Sequence, residues 1–144
     1  MENYQQQLTQ LSQLAYQSDQ LYRTWARQNG VNFHQLITLY ELYNQGQCTQ
    51  KDIISIWRVP KQTLHTICER FVKTDMIVFL PANADKRERL MTLTPTGRKF
   101  AEPLVTKLVA LENTMTAQLK PGALKQAIAT VSQFNSLFTA ALEH

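Results

Sequence analysis

Glycine is scarce in this chain of 144 residues, with only Gly30, Gly46, Gly97 and Gly122. Glycines so far apart build no phosphate-cradling loop, which removes the enzymes that depend on one. Cysteine is scarcer still. Cys48 and Cys68 are too few for a disulfide framework, and a reducing cytoplasm would keep both as thiols, so a cytoplasmic location is expected. Long apolar runs are missing as well. No stretch reaches the roughly 18 uncharged residues that a membrane helix needs, and the opening Met1-Glu2-Asn3-Tyr4-Gln5-Gln6-Gln7 lacks the basic-then-apolar pattern of a secretory leader. No membrane association is expected. The last residues, Leu142-Glu143-His144, resemble the remnant of an affinity tag, which leaves His34 and His65 as the histidines to consider. Neither stands at metal-ligand spacing from Cys, Asp or Glu, and no acid pair flanks a nucleophile. The chain is therefore read as a non-enzyme that needs no cofactor.

What is present is an uneven charge. Residues 49–99 hold ten cations against five anions, a net +5, whereas the rest of the chain holds five cations and six anions. All of the positive excess lies in the middle third. A polyanion-binding centre between neutral arms accounts for that distribution.

Apolar periodicity predicts helices through most of the chain. From about residue 5 to 28, Leu8, Leu11, Ala15, Ser18, Tyr22 and Trp25 recur at helical steps, widened by Leu14 and Leu21, until Asn29-Gly30 stops the helix. Asn32 with Gln35 predicts a capped second helix that carries Phe33, Leu36, Ile37 and Tyr40 and ends at Gly46. Thr49 caps a third, with Asp52 near its positive end and Ile53, Ile56 and Trp57 as its inner face. Arg58-Val59-Pro60 interrupts, because the residue before a proline is driven out of helical geometry while proline itself suits a first turn.

The fourth helix, about residues 60–74, sets Leu64, Ile67, Cys68, Phe71 and Val72 on one side and Lys61, Gln62, His65, Thr66, Glu69, Arg70 and Lys73 on the other. Two short helices joined by a few residues, the second basic at its start, form a helix-turn-helix candidate. Strand-like Met76–Leu80 and Leu90–Leu93 follow, separated by a turn-rich tip that contains Asp85, Lys86, Arg87, Glu88 and Arg89. A hairpin with a basic tip directly after a helix-turn-helix is a wing, which sets cations against phosphates or into the narrow minor groove. Thr94-Pro95 starts a further long helix, expected to bend at Pro103, and Lys120-Pro121-Gly122 separates it from a last one striped by Leu124, Ile128, Val131, Phe138 and Leu142. The long helices at either end carry more apolar surface than so small a core covers, which predicts a second copy of the chain as their cover.

The expected fold class is therefore mainly α with a small β-hairpin wing, an α+β winged helix-turn-helix with N- and C-terminal dimerisation helices. Lys61, Gln62, His65 and Thr66 lie where side chains reach base edges. Gln62 suits adenine and Lys61 suits guanine or a phosphate, while Thr63 and Arg70 are placed for phosphate. Lys86, Arg87 and Arg89 supply the wing's charge.

The order of these elements, with Asp85-x-Arg87 ahead of Leu93-Thr94-x-x-Gly97 and the opening Pro60-Lys61-Gln62-Thr63, resembles the MarR family of winged-helix regulators across essentially the whole chain. The resemblance implies a single domain over residues 1–144, with a DNA-binding lobe at 33–99 and dimerisation helices at 1–30 and 100–144. It also implies a homodimer that sets two recognition helices on a palindromic operator of double-stranded DNA, with repression the usual outcome. Arg87 would then reach the minor groove while Asp85 orients the loop through a salt bridge. A small-molecule effector is implied too, and Tyr4, Tyr16, Tyr22, Trp25, Tyr40 and Tyr43 are aromatics that would line its pocket or, as their helical spacing favours, simply pack. Bulky Ile56-Trp57 and the break Lys120-Pro121-Gly122 depart from the family's usual small residues and Ser/Thr cap.

Cys68 falls in a core stripe. Cys48 precedes a helix start, a position that can lower a thiol pKa and suit an oxidant sensor. The competing reading of the whole chain is a winged-helix module that docks another protein without DNA. The polar recognition face and basic wing oppose it, because a protein groove favours exposed aromatics.

Overall fold

The computed structural model describes residues 3–82, 85 and 88–144. Its elements run α1 (Tyr4–Gln28), α2 (Phe33–Gln45), β1 (Gln47–Cys48), α3 (Gln50–Trp57), α4 (Lys61–Lys73), β2 (Ile77–Phe79), β3 (Met91–Leu93), α5 (Pro95–Thr116) and α6 (Ala123–Leu142). The chain divides into two compact units, residues 1–106 and 107–144, and α5 belongs to the first through Thr106 and to the second from Lys107. The fold is the winged helix expected: mostly helical, with a small antiparallel sheet.

Local chemistry sets the helix boundaries in the first unit. Asn32 Oδ1 accepts from the Gln35 amide at 2.8 Å while Gln35 Oε1 accepts from the Asn32 amide at 2.9 Å. Thr49 and Asp52 repeat the exchange at 3.0 Å in both directions. Each box satisfies two amides that a helix start would leave unpaired. Between α3 and α4 the chain turns on Arg58, which adopts the left-handed conformation at φ 56° and ψ 35°. Val59, buried, pins that turn to the core.

The sheet has order β1-β3-β2, all antiparallel, with Gln47 opposite Thr92 and Ile77 opposite Leu93. The strand β1 was not expected, because two residues carry no readable alternation. It forms where Gly46, at φ 80°, turns the chain out of α2, and Thr92 Oγ1 donates to the Gly46 carbonyl at 2.9 Å. Beyond β2 and β3 the pairing extends by one bond, Leu80 N to Leu90 O at 2.8 Å.

Around this sheet the core gathers Leu36, Leu39 and Leu42 from α2, Ile53 from α3, Leu64, Ile67, Cys68 and Phe71 from α4, and Ile77 and Met91 from the strands. Two expected core residues of α3 are not there: Ile56 and Trp57 are exposed. The eight-residue helix overruns the core in its last turn, and the next buried apolar side chain is Val59, in the turn that follows. Val72, at the end of the α4 stripe, is exposed for the same reason.

The corner from β3 into α5 explains the Leu93-Thr94-x-x-Gly97 motif. The Thr94 amide donates to Met76 O at 3.0 Å, its hydroxyl donates to Asp75 O at 2.5 Å, and that hydroxyl accepts from the Gly97 amide at 2.9 Å. A Cβ on Gly97 would lie 1.8 Å from the Met76 carbonyl oxygen. Glycine is required there for close approach, since no unusual dihedral is involved. From this corner α5 runs on as one helix through Pro103.

The second unit holds the end of α5 and α6, which Gly122 starts at φ 81°. No residue of α6 is buried. Leu124, Ile128, Val131, Phe134, Phe138 and Leu142 are all exposed, as are Leu8, Leu11, Leu14 and Leu21 on α1 in the first unit. No helix among the described residues is long and apolar enough to cross a membrane.

Candidate nucleic-acid interface

Burying one side of α4 dictates what the other side presents. With Leu64, Ile67, Cys68 and Phe71 inside, Lys61, Gln62, Thr66 and Arg70 are exposed, and Thr63 and His65 are half-buried at the margins. Gln62 Nε2 donates to Thr66 Oγ1 at 3.3 Å, one turn on, so the two polar groups already share an edge of the helix. Pro60 stands at the N-cap without a side-chain cap. The amides of Lys61, Gln62 and Thr63 therefore keep their outward hydrogen-bonding capacity, and the positive helix end faces the same way. A helix that offers base-edge partners beside uncapped amides can satisfy both bases and phosphates.

The wing rises from β2 and β3 in the same unit. Lys86 and Arg87, the second of which carries the expected minor-groove contact, lie outside the described residues. Asp85 itself is exposed, and its carbonyl accepts from the Glu88 amide at 2.9 Å. Arg89 is half-buried against the hairpin. Its Nε donates to Leu80 O at 3.4 Å and its guanidinium stacks over the Phe79 ring at 5.5 Å. That posture stiffens the root of the wing and holds the Arg89 charge close to the strands.

Between the helix-turn-helix and the wing root lies an open cavity of about 670 Å³. Its lining includes the apolar Ile54, Val59 and Pro60, the cations Lys51, Arg58 and Lys61, and the carboxylates Asp85 and Glu88. Sequence reasoning singled out Lys61 from this group and passed over Lys51 and Arg58, although both were counted in the basic middle third. Periodicity ranks side chains by helix face and is blind to what a turn brings beside that face.

The remaining candidates separate. Burial, then the carboxylates of Asp52 and Glu41, push the Cys48 thiol up to about 12, and burial foremost takes Cys68 to about 12 as well. The lowering expected of a helix start does not occur at Cys48, because the side chain is removed from water. Glu41 is buried on α2, where it accepts from Trp57 Nε1 at 2.9 Å. Among the aromatics, Tyr4 and Tyr16 are exposed, Tyr22 packs at 6.5 Å from the Phe33 ring, and Tyr43 donates to Glu102 at 3.3 Å beneath the Arg98 guanidinium. They serve separate contacts. Among the described residues no group of three or more His, Cys, Asp and Glu could hold a metal ion.

Comparison with known proteins agrees with this geometry. Residues 29–88 match the family model described as MarR family. No curated protein matches by sequence. Among solved structures, a MarR family regulator from Neisseria meningitidis is 26% identical over 95% of this chain and 96% of its own, with a TM-score of 0.88. MarR from Staphylococcus aureus, in complex with salicylate and kanamycin, is 16% identical over 95% and 93% of the two chains, with a TM-score of 0.72. The same organism's MepR, in a complex with DNA, is 21% identical over 96% and 99%, with a TM-score of 0.68.

Proposed function

We propose that the chain, similar over residues 29–88 to the MarR family model, is a MarR-family winged helix-turn-helix protein and a sequence-specific DNA-binding transcriptional regulator that acts as a homodimer on a pseudopalindromic operator. It works by occupancy and not by catalysis. The observation that carries this reading is the outward face of α4, where Lys61, Gln62, Thr66 and Arg70 stand exposed beside amides that no side chain caps. Residues 33–99 form the DNA-binding lobe, and residues 1–30 and 100–144 supply the dimerisation helices. The exposed apolar side chains of α1 and α6 support a second copy as their cover. The two recognition helices then enter successive major grooves with half-sites about one helical turn apart.

In this reading Lys61, Gln62, His65 and Thr66 reach base edges, and Thr63 and Arg70 hold phosphates. Lys86, Arg87 and Arg89 place the wing's charge along the minor groove, with Asp85 orienting the loop. Repression follows where the operator overlaps a promoter. A small-molecule effector, of the kind present in the Staphylococcus aureus MarR complex with salicylate and kanamycin, releases the dimer by favouring a spacing that cannot span both half-sites.

Selection of random duplexes, followed by salt titration, tests the proposal. A sequence preference with a steep salt slope is expected. His65→Ala and Arg87→Ala should each weaken binding to the selected duplex with unchanged far-ultraviolet circular dichroism. Flat, sequence-blind binding would favour a protein-docking module instead.

A further inference from the structure

Resting on that DNA-binding reading, we infer that the cavity between α3, the Arg58 turn and the wing root is a seat for one deoxyribose-phosphate unit of the DNA backbone, held by Lys51 and Arg58 together with Lys61.

Arg58 occupies a conformation that a non-glycine residue seldom adopts, φ 56°, locked by its amide donating to Ile54 O at 2.8 Å. Buried Val59 follows it and fixes the turn from below. The turn thereby sends the Arg58 side chain off the end of α3 to the lining of the cavity, where Lys51, two turns earlier on α3, and Lys61, the first residue of α4, also stand. Three cations lining one cavity, none of them in an ion pair among the described residues, repel one another, and a polyanion relieves that repulsion.

The rest of the lining defines which part of a polyanion fits. The apolar lining of Ile54, Val59 and Pro60 offers nothing to a base edge but matches the apolar face of a sugar, and about 670 Å³ accommodates a sugar-phosphate unit. Glu88, also in the lining, repels phosphate oxygens and disfavours a strand seated on the wing side. Because Lys61 belongs both to this lining and to the recognition helix, a phosphate in the seat fixes the register of α4 in its groove.

A phosphate seat contributes affinity without sequence preference, and that signature separates it from the base-reading face. Each phosphate neutralised contributes about 0.9 to the slope of log K against log salt, so one seat per protomer contributes about 1.8 in a dimer, roughly sixtyfold in affinity at 0.1 M relative to 1 M salt. The test uses the intact protein, fluorescence anisotropy, and two duplexes, one selected and one unrelated. Lys51→Ala combined with Arg58→Gly, the glycine keeping the left-handed turn, should lower the slope by about 1.8 and weaken both duplexes by the same factor. Arg58→Lys should restore most of the slope, and Glu88→Gln should tighten both duplexes. Lys51→Ala alone alters only an exposed side chain and should move the slope in the same direction, so the test survives any folding defect of the double variant. An unchanged slope in these variants, with wild type binding steeply, overturns the seat. Failure of wild type to bind any duplex overturns instead the DNA-binding reading on which it rests.

Discussion

Replacing Gly97 by alanine places one methyl group against a backbone that cannot yield cheaply. The added carbon would meet Met76 O at 1.8 Å and Met76 C at 2.7 Å. Ordinary carbon-oxygen contact needs more than about 3 Å, so α5 and the residue before β2 must part by over an ångström. Overpacking of this kind costs about 1–3 kcal/mol. The same displacement pulls on Thr94, whose hydroxyl caps the Gly97 amide at 2.9 Å and donates to Asp75 O at 2.5 Å, and whose amide donates to Met76 O at 3.0 Å. Weakening that cap and one backbone bond adds about 1–2 kcal/mol. Against this, alanine is the better helix former by about 1 kcal/mol. The balance is a loss of about 1–4 kcal/mol, or a melting temperature lower by roughly 3–15 °C for a chain of this size. Thermal denaturation followed by far-ultraviolet circular dichroism, at one fixed protein concentration, reads the shift. Thr96→Ala, which removes only an exposed 3.3 Å bond to Asp75, is the matched control and should change little. A Gly97→Ala protein that melts with wild type would refute the close-approach reading, because relief would then be available without loss of the corner.

Other consequences are simpler to state. Gln50 is fully buried at the start of α3 with neither its amide oxygen nor its nitrogen hydrogen-bonded, so Gln50→Met should raise stability by about 1–2 kcal/mol in a denaturant titration. Trp57→Phe removes the indole donor of buried Glu41 and should cost about 1.5–3 kcal/mol, whereas Ile56→Ala beside it should cost far less. With both thiols raised to about 12 by burial, the native protein at pH 8 keeps Cys48 and Cys68 as thiols. Iodoacetamide should therefore modify Cys48 and Cys68 far more slowly before unfolding than after, and rapid labelling of native Cys48 would contradict its burial. Burial foremost, then the nearby Arg23 charge, lowers the His34 pKa below its usual 6.5. The unfolded chain then binds the proton first, so stability should fall as pH drops through 6.5 toward the lower native value, and His34→Gln should flatten that decline.

How much of this was legible in the sequence depends on how local each cause is. Caps were readable, since Asn32 with Gln35 and Thr49 with Asp52 act over three residues, and so was the stripe of α4 from Leu64 to Phe71. The breaker Arg58-Val59-Pro60 was readable as a break, but its left-handed turn was not. Periodicity failed where a helix outlasts its core. Ile56 and Trp57 repeat correctly and yet stand exposed, because exposure is set by where the neighbouring layer ends. The demand for glycine at position 97 is invisible for a related reason: it comes from the carbonyl of Met76, distant in sequence and close only once the corner has folded. The same limit governed the site. Lys61 and Gln62 could be placed on the exposed face of α4 from their spacing, whereas Lys51 and Arg58 come to line one cavity only through the turn between α3 and α4. Cys48 shows a local rule overridden, as desolvation outweighed the helix start.

The uncovered faces and the cations of the cavity bear on one measurable quantity. Side chains such as Ile128 and Phe138 on α6 are exposed although a helix with no buried residue gains little from its own propensity. If a second copy covers them, every cation on the proposed DNA-binding lobe is present twice in the bound species, and each phosphate contact enters the salt slope twice. A variant that removes one contact per chain then shifts the slope by about 1.8, whereas a monomer on a half-site would show about 0.9. That factor of two is independent of which bases are read, of the effector, and of the absolute affinity. The size of the Lys51 and Arg58 effect therefore reports stoichiometry as well as contact, and it does so from the DNA side of the protein, far in sequence from the helices whose apolar faces raise the question.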